Sequence, residues 1–195
     1  MWTAAVLNGG RAQRFGGRDK SALVVDGRTI LDRQIAMLTT VPEIDEILIV
    51  GSGTHLSART VTDLVPGSGP LGGIHAALCA TSGSGAFVVA GDMPYVSAPF
   101  VSYLIGLTRD ADLVVPQTED GYHPLCAAYT RACLEPAARR LAVRQLKVID
   151  LVDDVRTRVV TAGEVDVFGD RHRLLRNVNT PPEYAALHES PRHEL

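Results

Sequence analysis

Lysine is nearly missing from this chain. Of its 19 basic residues only Lys20 and Lys147 are lysines, and the other 17 are arginines. A lysine inside a glycine-rich segment is therefore a pointed choice. Cysteine is also sparse. Cys79, Cys126 and Cys133 are odd in number and form no C-x-x-C pair, which excludes a disulfide framework and a cysteine zinc site. They are expected to be small buried apolar residues of a protein in a reducing compartment. No apolar run approaches the ~18 residues a membrane helix needs. Positive charge is not in excess either. Lys plus Arg is 19 against 22 Asp plus Glu, a net charge of −3, which argues against a general nucleic-acid binder. The opening Met-Trp-Thr-Ala-Ala-Val-Leu lacks the charged start of a signal peptide. The closing Arg-His-Glu-Leu has only a faint likeness to a retention tail. The expectation is a cytoplasmic protein with no membrane and no nucleic-acid partner.

What is present is an ordinary globular composition: 195 residues, 46% hydrophobic and 21% charged. A chain of this length buries roughly 70% of its unfolded surface without staples. With no repeat and no linker, one domain over 1–190 is expected, with a frayed tail at 191–195.

Apolar β-branched runs alternate with helical patterns. Strands are expected at 3–7, 46–50, 59–63, 86–90 and 112–116, and a strand-like run at 125–129. Helices are expected at 29–40, 70–79, 97–108 and 131–142, with another at 144–151. Residues 156–168 suggest a β-hairpin. Runs such as Ala86-Phe87-Val88-Val89-Ala90 show no in/out alternation, as in strands buried on both faces. Strand and helix in alternation predict a three-layer α/β fold with a mainly parallel, Rossmann-like sheet.

In such sheets ligands bind at the carboxyl ends of strands. The first strand runs into Leu7-Asn8-Gly9-Gly10-Arg11-Ala12-Gln13-Arg14-Phe15-Gly16-Gly17-Arg18-Asp19-Lys20. Glycines let backbone N–H groups turn toward an anion, and Arg14 and Lys20 add charge against phosphate. This is not a Walker loop, because Asp19 stands where that motif needs glycine before its lysine. A second stretch, Gly67-Ser68-Gly69-Pro70-Leu71-Gly72, matches the dinucleotide pattern G-x-G-x-x-G, with Asp92 twenty residues on. Pro66 and Pro70 remove two N–H groups from it, and it lies mid-chain after a short strand, so it is set aside.

Asp92, in Gly91-Asp92-Met93-Pro94, ends a buried strand. One carboxylate joined by phosphate oxygens and water is the usual way of holding Mg²⁺. Asp63 ends the preceding strand and suits a hydrogen bond to a base or ribose, or a turn. His123 precedes a buried strand. His55 and His75 have no partner at metal spacing and read as structural or surface residues. Arg131, Arg139, Arg140, Arg144 and Lys147 read as a solvated helical face or as a receiver for an anion.

Together these motifs resemble the molybdenum cofactor guanylyltransferase (MobA) family of the nucleotidyltransferase superfamily. The Leu7–Lys20 loop, ending Gly16-Gly17-Arg18-Asp19-Lys20, is similar to its nucleotide signature. Asp63 with Gly69-Pro70-Leu71-Gly72-Gly73, then Gly91-Asp92-Met93-Pro94, His123-Pro124-Leu125 and Asn177-Val178-Asn179-Thr180-Pro181, resemble the remaining motifs in order. The resemblance implies a nucleotidyltransferase fold and transfer of GMP from GTP to molybdopterin with Mg²⁺. It implies that Leu7, Asn8, Gly9, Gly10, Lys20 and Asp63 contact the nucleotide. Asp92 would serve nucleotide and metal, Arg14 would act with Lys20 and Asp92 in catalysis, and His123, Asn177 and Asn179 would lie toward molybdopterin. Molybdenum-cofactor biosynthesis proteins or acceptor molybdoenzymes are implied as partners. Asn8 replaces the family's alanine, Gly91 its cysteine and Phe15 its methionine. Asn8 adds a polar group beside the nucleotide, where it bears on base preference; the other two look like packing changes. The alternatives are a sister enzyme, transferring CMP or using a sugar phosphate, and a non-catalytic nucleotide or cofactor carrier.

Overall fold

The computed structural model describes residues 1–9, 23–62, 64–65 and 67–178. The first half carries β1 (Trp2–Asn8), β2 (Val24–Val25), β3 (Arg28–Thr29), α1 (Ile30–Leu38), β4 (Ile44–Gly51), β5 (Arg59–Val61), α2 (Gly69–Ala80) and β6 (Gly85–Ala90). The second half carries α3 (Ala98–Leu107), β7 (Leu113–Thr118), β8 (Gly121–Tyr122), β9 (Cys126–Thr130), α4 (Leu134–Ala142), β10 (Thr157–Val160), α5 (Ala162–Asp166) and α6 (Arg171–Leu174).

The main sheet runs β10-β7-β9-β6-β1-β4-β5, with β8 paired to β7. β1 lies between β4 and β6 and is parallel to both. β5 and β10 are parallel to their neighbours, and β9 alone on this path is antiparallel, to β6 and to β7. The sheet is thus mainly parallel, as expected. Successive residues of a strand feed opposite layers. Ala4, Val6, Phe87 and Val89 pack with Leu31, Ile35 and Leu38 of α1 and with Phe100 and Leu104 of α3. Ala5, Ala86 and Val88 pack with Leu71, Ile74 and Leu78 of α2 and with Ala137 and Leu141 of α4. Each large side chain buried this way contributes about 1.5–3 kcal/mol. That two-sided burial explains the unbroken apolar runs of β1 and β6.

Three expectations fail. Residues 156–168 form no hairpin. β10 pairs in parallel with β7, and Thr161 then starts α5 with a capping box to Glu164, so the chain leaves the sheet as a helix. Residues 144–151 form no α-helix. Arg144 takes a left-handed φ of 59° where α4 ends, and only a 3₁₀ turn follows at Val148–Asp153. Cys79 is exposed, unlike Cys126 and Cys133. It shares the outer face of α2 with His75, whose Nε2 lies 3.7 Å from its Sγ, while Leu71, Ile74 and Leu78 face the core.

Candidate active site

The carboxyl ends of β4, β1 and β6 lie side by side. Asn8 is opposite Gly51, and Leu7 is opposite Ala90. Main-chain bonds extend the sheet past its formal ends. Ser52 N donates to the Asn8 carbonyl at 2.8 Å, and Gly91 N donates to the Leu7 carbonyl at 3.0 Å. The Asn8 side chain tightens this seam, its Nδ2 donating to the Ser52 carbonyl at 2.6 Å. The glycines around it make room. Gly51 has φ 110°, and a Cβ there would meet the Asn8 carbonyl oxygen at 2.5 Å; a Cβ on Gly91 would lie 3.2 Å from Asn8 Oδ1 and 3.1 Å from the Leu7 oxygen. The Asn8 side chain thus takes up space that a side chain at position 91 would need. At this position the Asn8 amide is a clamp between strand ends.

Asp92 is half-buried on the turn that leaves β6. That turn is held from two sides. Gln34 of α1, buried under the sheet edge, donates through Nε2 to the carbonyls of Ala90 at 2.7 Å and Met93 at 3.0 Å. From the far end of the described chain, Val178 N donates to the Asp92 carbonyl at 2.9 Å. Exposed Asn177 precedes Val178, so the structure brings the Asn177 segment and the Asp92 turn together. Ala90 N donates to the Leu125 carbonyl, which ties the His123-Pro124-Leu125 segment to the same strand end. His123 itself faces Thr118, its Nε2 2.8 Å from Oγ1, and burial lowers its pKa.

Leu7 packs against Gly73 of α2, where a Cβ would meet its Cδ2 at 3.2 Å, so the Gly72-Gly73 pair lets α2 approach β1 closely. The amino end of α2 stands at the carboxyl edge of β5. Gly67 and Gly69 take φ 77° and 60° there. Ser68 is fully buried, and its Oγ has no hydrogen-bond partner among the described residues. This turn is no dinucleotide fingerprint. That motif joins neighbouring strands, whereas β5 and β6 are separated by β1 and β4. Gly10, Arg14, Lys20, Asp63 and Asn179 lie outside the described residues.

Some site residues escape the sequence reading. Gln34 is the clearest, a polar residue on the apolar face formed by Ile30, Leu31, Ile35 and Leu38. That misplacement was its signal, since a buried amide must find partners. Ser52, just past the strand expected at 46–50, is another such residue, through its bonds with Asn8. Conversely, the arginine series serves the fold. Arg131 donates to the Thr81 carbonyl, Arg139 pairs with Glu135, and Arg140 ties Asp154 and Asp150. His55 lies 3.7 Å from Asp32.

A mainly parallel α/β sheet, with a glycine-rich sequence containing Lys20 following its first strand and an aspartate turn after the adjacent strand, is the arrangement of a nucleotidyltransferase. The comparisons agree. The chain belongs to the MobA-like NTP transferase domain family, whose model matches residues 4–155. It is 34% identical over 185 residues to a probable molybdenum cofactor guanylyltransferase of Pelotomaculum thermopropionicum, covering 93% of this chain and 89% of that protein. It is 32% identical over 187 residues to the molybdenum cofactor guanylyltransferase of Desulfosudis oleivorans, covering 93% and 91%. The crystal structure of molybdopterin-guanine dinucleotide biosynthesis protein A from Archaeoglobus fulgidus superposes with a TM-score of 0.82 at 22% identity, over 96% of this chain and 97% of that one.

Proposed function

We propose that the chain transfers GMP from GTP to the terminal phosphate of molybdopterin, forming molybdopterin guanine dinucleotide and releasing pyrophosphate. The observation that carries this reading is likeness along the whole length to guanylyltransferases at 32–34% identity, with Asp92 held on a fixed turn beside the end of β1. An oxygen of the molybdopterin phosphate bonds to the α-phosphorus of GTP as the bond to the β-phosphate oxygen breaks. The attacking oxygen is already an anion, so no strong general base is needed. The work is to bring polyanions together.

In this reading Leu7, Asn8, Gly9 and Gly10 line the nucleotide through their backbone. Asp63 contacts the same nucleotide. Lys20 and Arg14 neutralise its phosphates. His123, Asn177 and Asn179 lie toward molybdopterin. The donor set fits Mg²⁺: Asp92 is one carboxylate at a glycine-cleared strand end, and Mg²⁺ is commonly held by one or two carboxylates, phosphates and water. Bound there, the ion would offset charge on the α-phosphate and the departing pyrophosphate. A single domain over 1–190 and a cytoplasmic setting complete the proposal. No described helix is long and apolar enough to cross a membrane.

Thermal unfolding with Mg²⁺ and GTP, CTP, ATP or NAD tests the nucleotide. Ligand at 100 times its Kd stabilises by about 2.7 kcal/mol, which raises Tm by roughly 5–11 °C at this size. A rise confined to GTP is expected. A rise confined to CTP moves the assignment to cytidylyl transfer, and one confined to NAD contradicts it.

A further inference from the structure

Beneath the Asp92 turn, between α1, the Pro94–Ser97 segment and α6, is a cavity of about 530 Å³. We propose that this cavity is a second ligand site, for a small molecule that carries a phosphate or a carboxylate. The volume is that of a small-molecule site.

Three guanidinium groups and two carboxylates line it. Both carboxylates are committed. Asp26 pairs with Arg33 at 3.2 Å, and Asp170 accepts from His172 N as the cap of α6. Arg28 and Arg173 have no carboxylate partner among the described residues. Arg173 is not loose, however. Its Cζ lies 4.7 Å from the Tyr95 ring centroid, with Arg33 at 5.8 Å from the same centroid. One aromatic ring thus steadies two cations, so an arriving oxyanion orders little side chain.

Gln34 stands in the cavity wall, its amide orientation fixed by the two bonds from Nε2. Gln34 also holds both carbonyls flanking Gly91 and Asp92, so an occupant would touch the residue that secures the nucleotide edge.

The test follows the Arg Nε–Hε signals of the full chain by NMR while glycerol 3-phosphate or citrate is added. The signals of Arg33 and Arg173 are expected to shift together on one saturable curve, with a Kd of about 1 mM or tighter. The probe that binds tighter distinguishes a phosphate from a carboxylate ligand. An Arg28→Ala/Arg173→Ala double variant, changed at exposed positions only, is expected to lose at least about tenfold in affinity. No saturable shift with either probe, or equal affinity in the double variant, would overturn the proposal. The test needs no guanylyl transfer, so its failure and that of the proposed function are separable.

Discussion

The carboxyl edge of β1, β4 and β6 and the far edge formed by β7 and β10 belong to one sheet, yet different chemistry secures them. Among the described residues, the near edge is tied by neutral groups: Gly91 to Leu7, Ser52 to Asn8, Val178 to Asp92, and Gln34 to Ala90 and Met93. The far edge is tied by charge. Asp112 holds Arg156 through both carboxylate oxygens, Arg158 pairs with Glu164, and Glu164 also accepts the Tyr103 hydroxyl at 2.7 Å. Exposed ion pairs are individually weak and weaken further with salt. Short buried neutral bonds are insensitive to salt and put no competing charge beside a phosphate ligand. A site that must gather anions and a cation benefits from a frame built that way.

The comparison can be broken in order of effect. Asp92→Ala or Lys20→Ala is expected to lower turnover about 10²–10³-fold while leaving the unfolding curve in place. Wild-type turnover in either variant would remove the near edge from the chemistry. Next, Gln34→Leu deletes both bonds under the Asp92 turn and should cost about 1–3 kcal/mol in urea unfolding. That loss should be the same at low and high salt.

A subtler result is expected from Asn8 and Gly91. Gly91→Ala forces a Cβ against Asn8 Oδ1 and should destabilise by about 1–3 kcal/mol. In an Asn8→Ala background the cost should shrink, with a coupling of at least about 0.5 kcal/mol in a double-mutant cycle. Strict additivity would show that the two positions are uncoupled.

The smallest effect concerns the far edge. The Thr161 backbone N–H, then the Tyr103 hydroxyl, hold the Glu164 carboxyl down from 4.5 to about 2. Its folded-state pKa is below the unfolded one, so its contribution is present above about pH 4.5 and is lost as pH falls toward 2. Wild type should therefore lose stability over that window more steeply than Glu164→Gln, as measured by the urea midpoint against pH.

These contrasts also show what was legible in the sequence. The near edge was readable because its strands are buried on both faces and end in glycines, which produces unbroken apolar runs and abrupt stops. The Asp92 turn is legible as the motif Gly91-Asp92-Met93-Pro94. The ties themselves were less so. Gln34 is one polar residue in an apolar stripe, and its partners lie 56 and 59 residues away. The far edge is harder to read over 156–168, because Thr157–Val160 has strand character while Thr161-Ala162-Gly163-Glu164 is a capping-box pattern that starts a helix. The β2–β3 hairpin went unread although its turn is Asp26-Gly27, both at positive φ. The antiparallel direction of β9 has no local signature, since a buried run carries the same composition either way.

The central claim is that this edge joins GMP to molybdopterin. The direct test incubates the purified chain with molybdopterin, Mg²⁺ and either GTP or CTP, and follows pyrophosphate and dinucleotide together. The account predicts equal amounts of both products from GTP and little from CTP. Products from CTP but not GTP, or none from either with a well-folded protein, would contradict it.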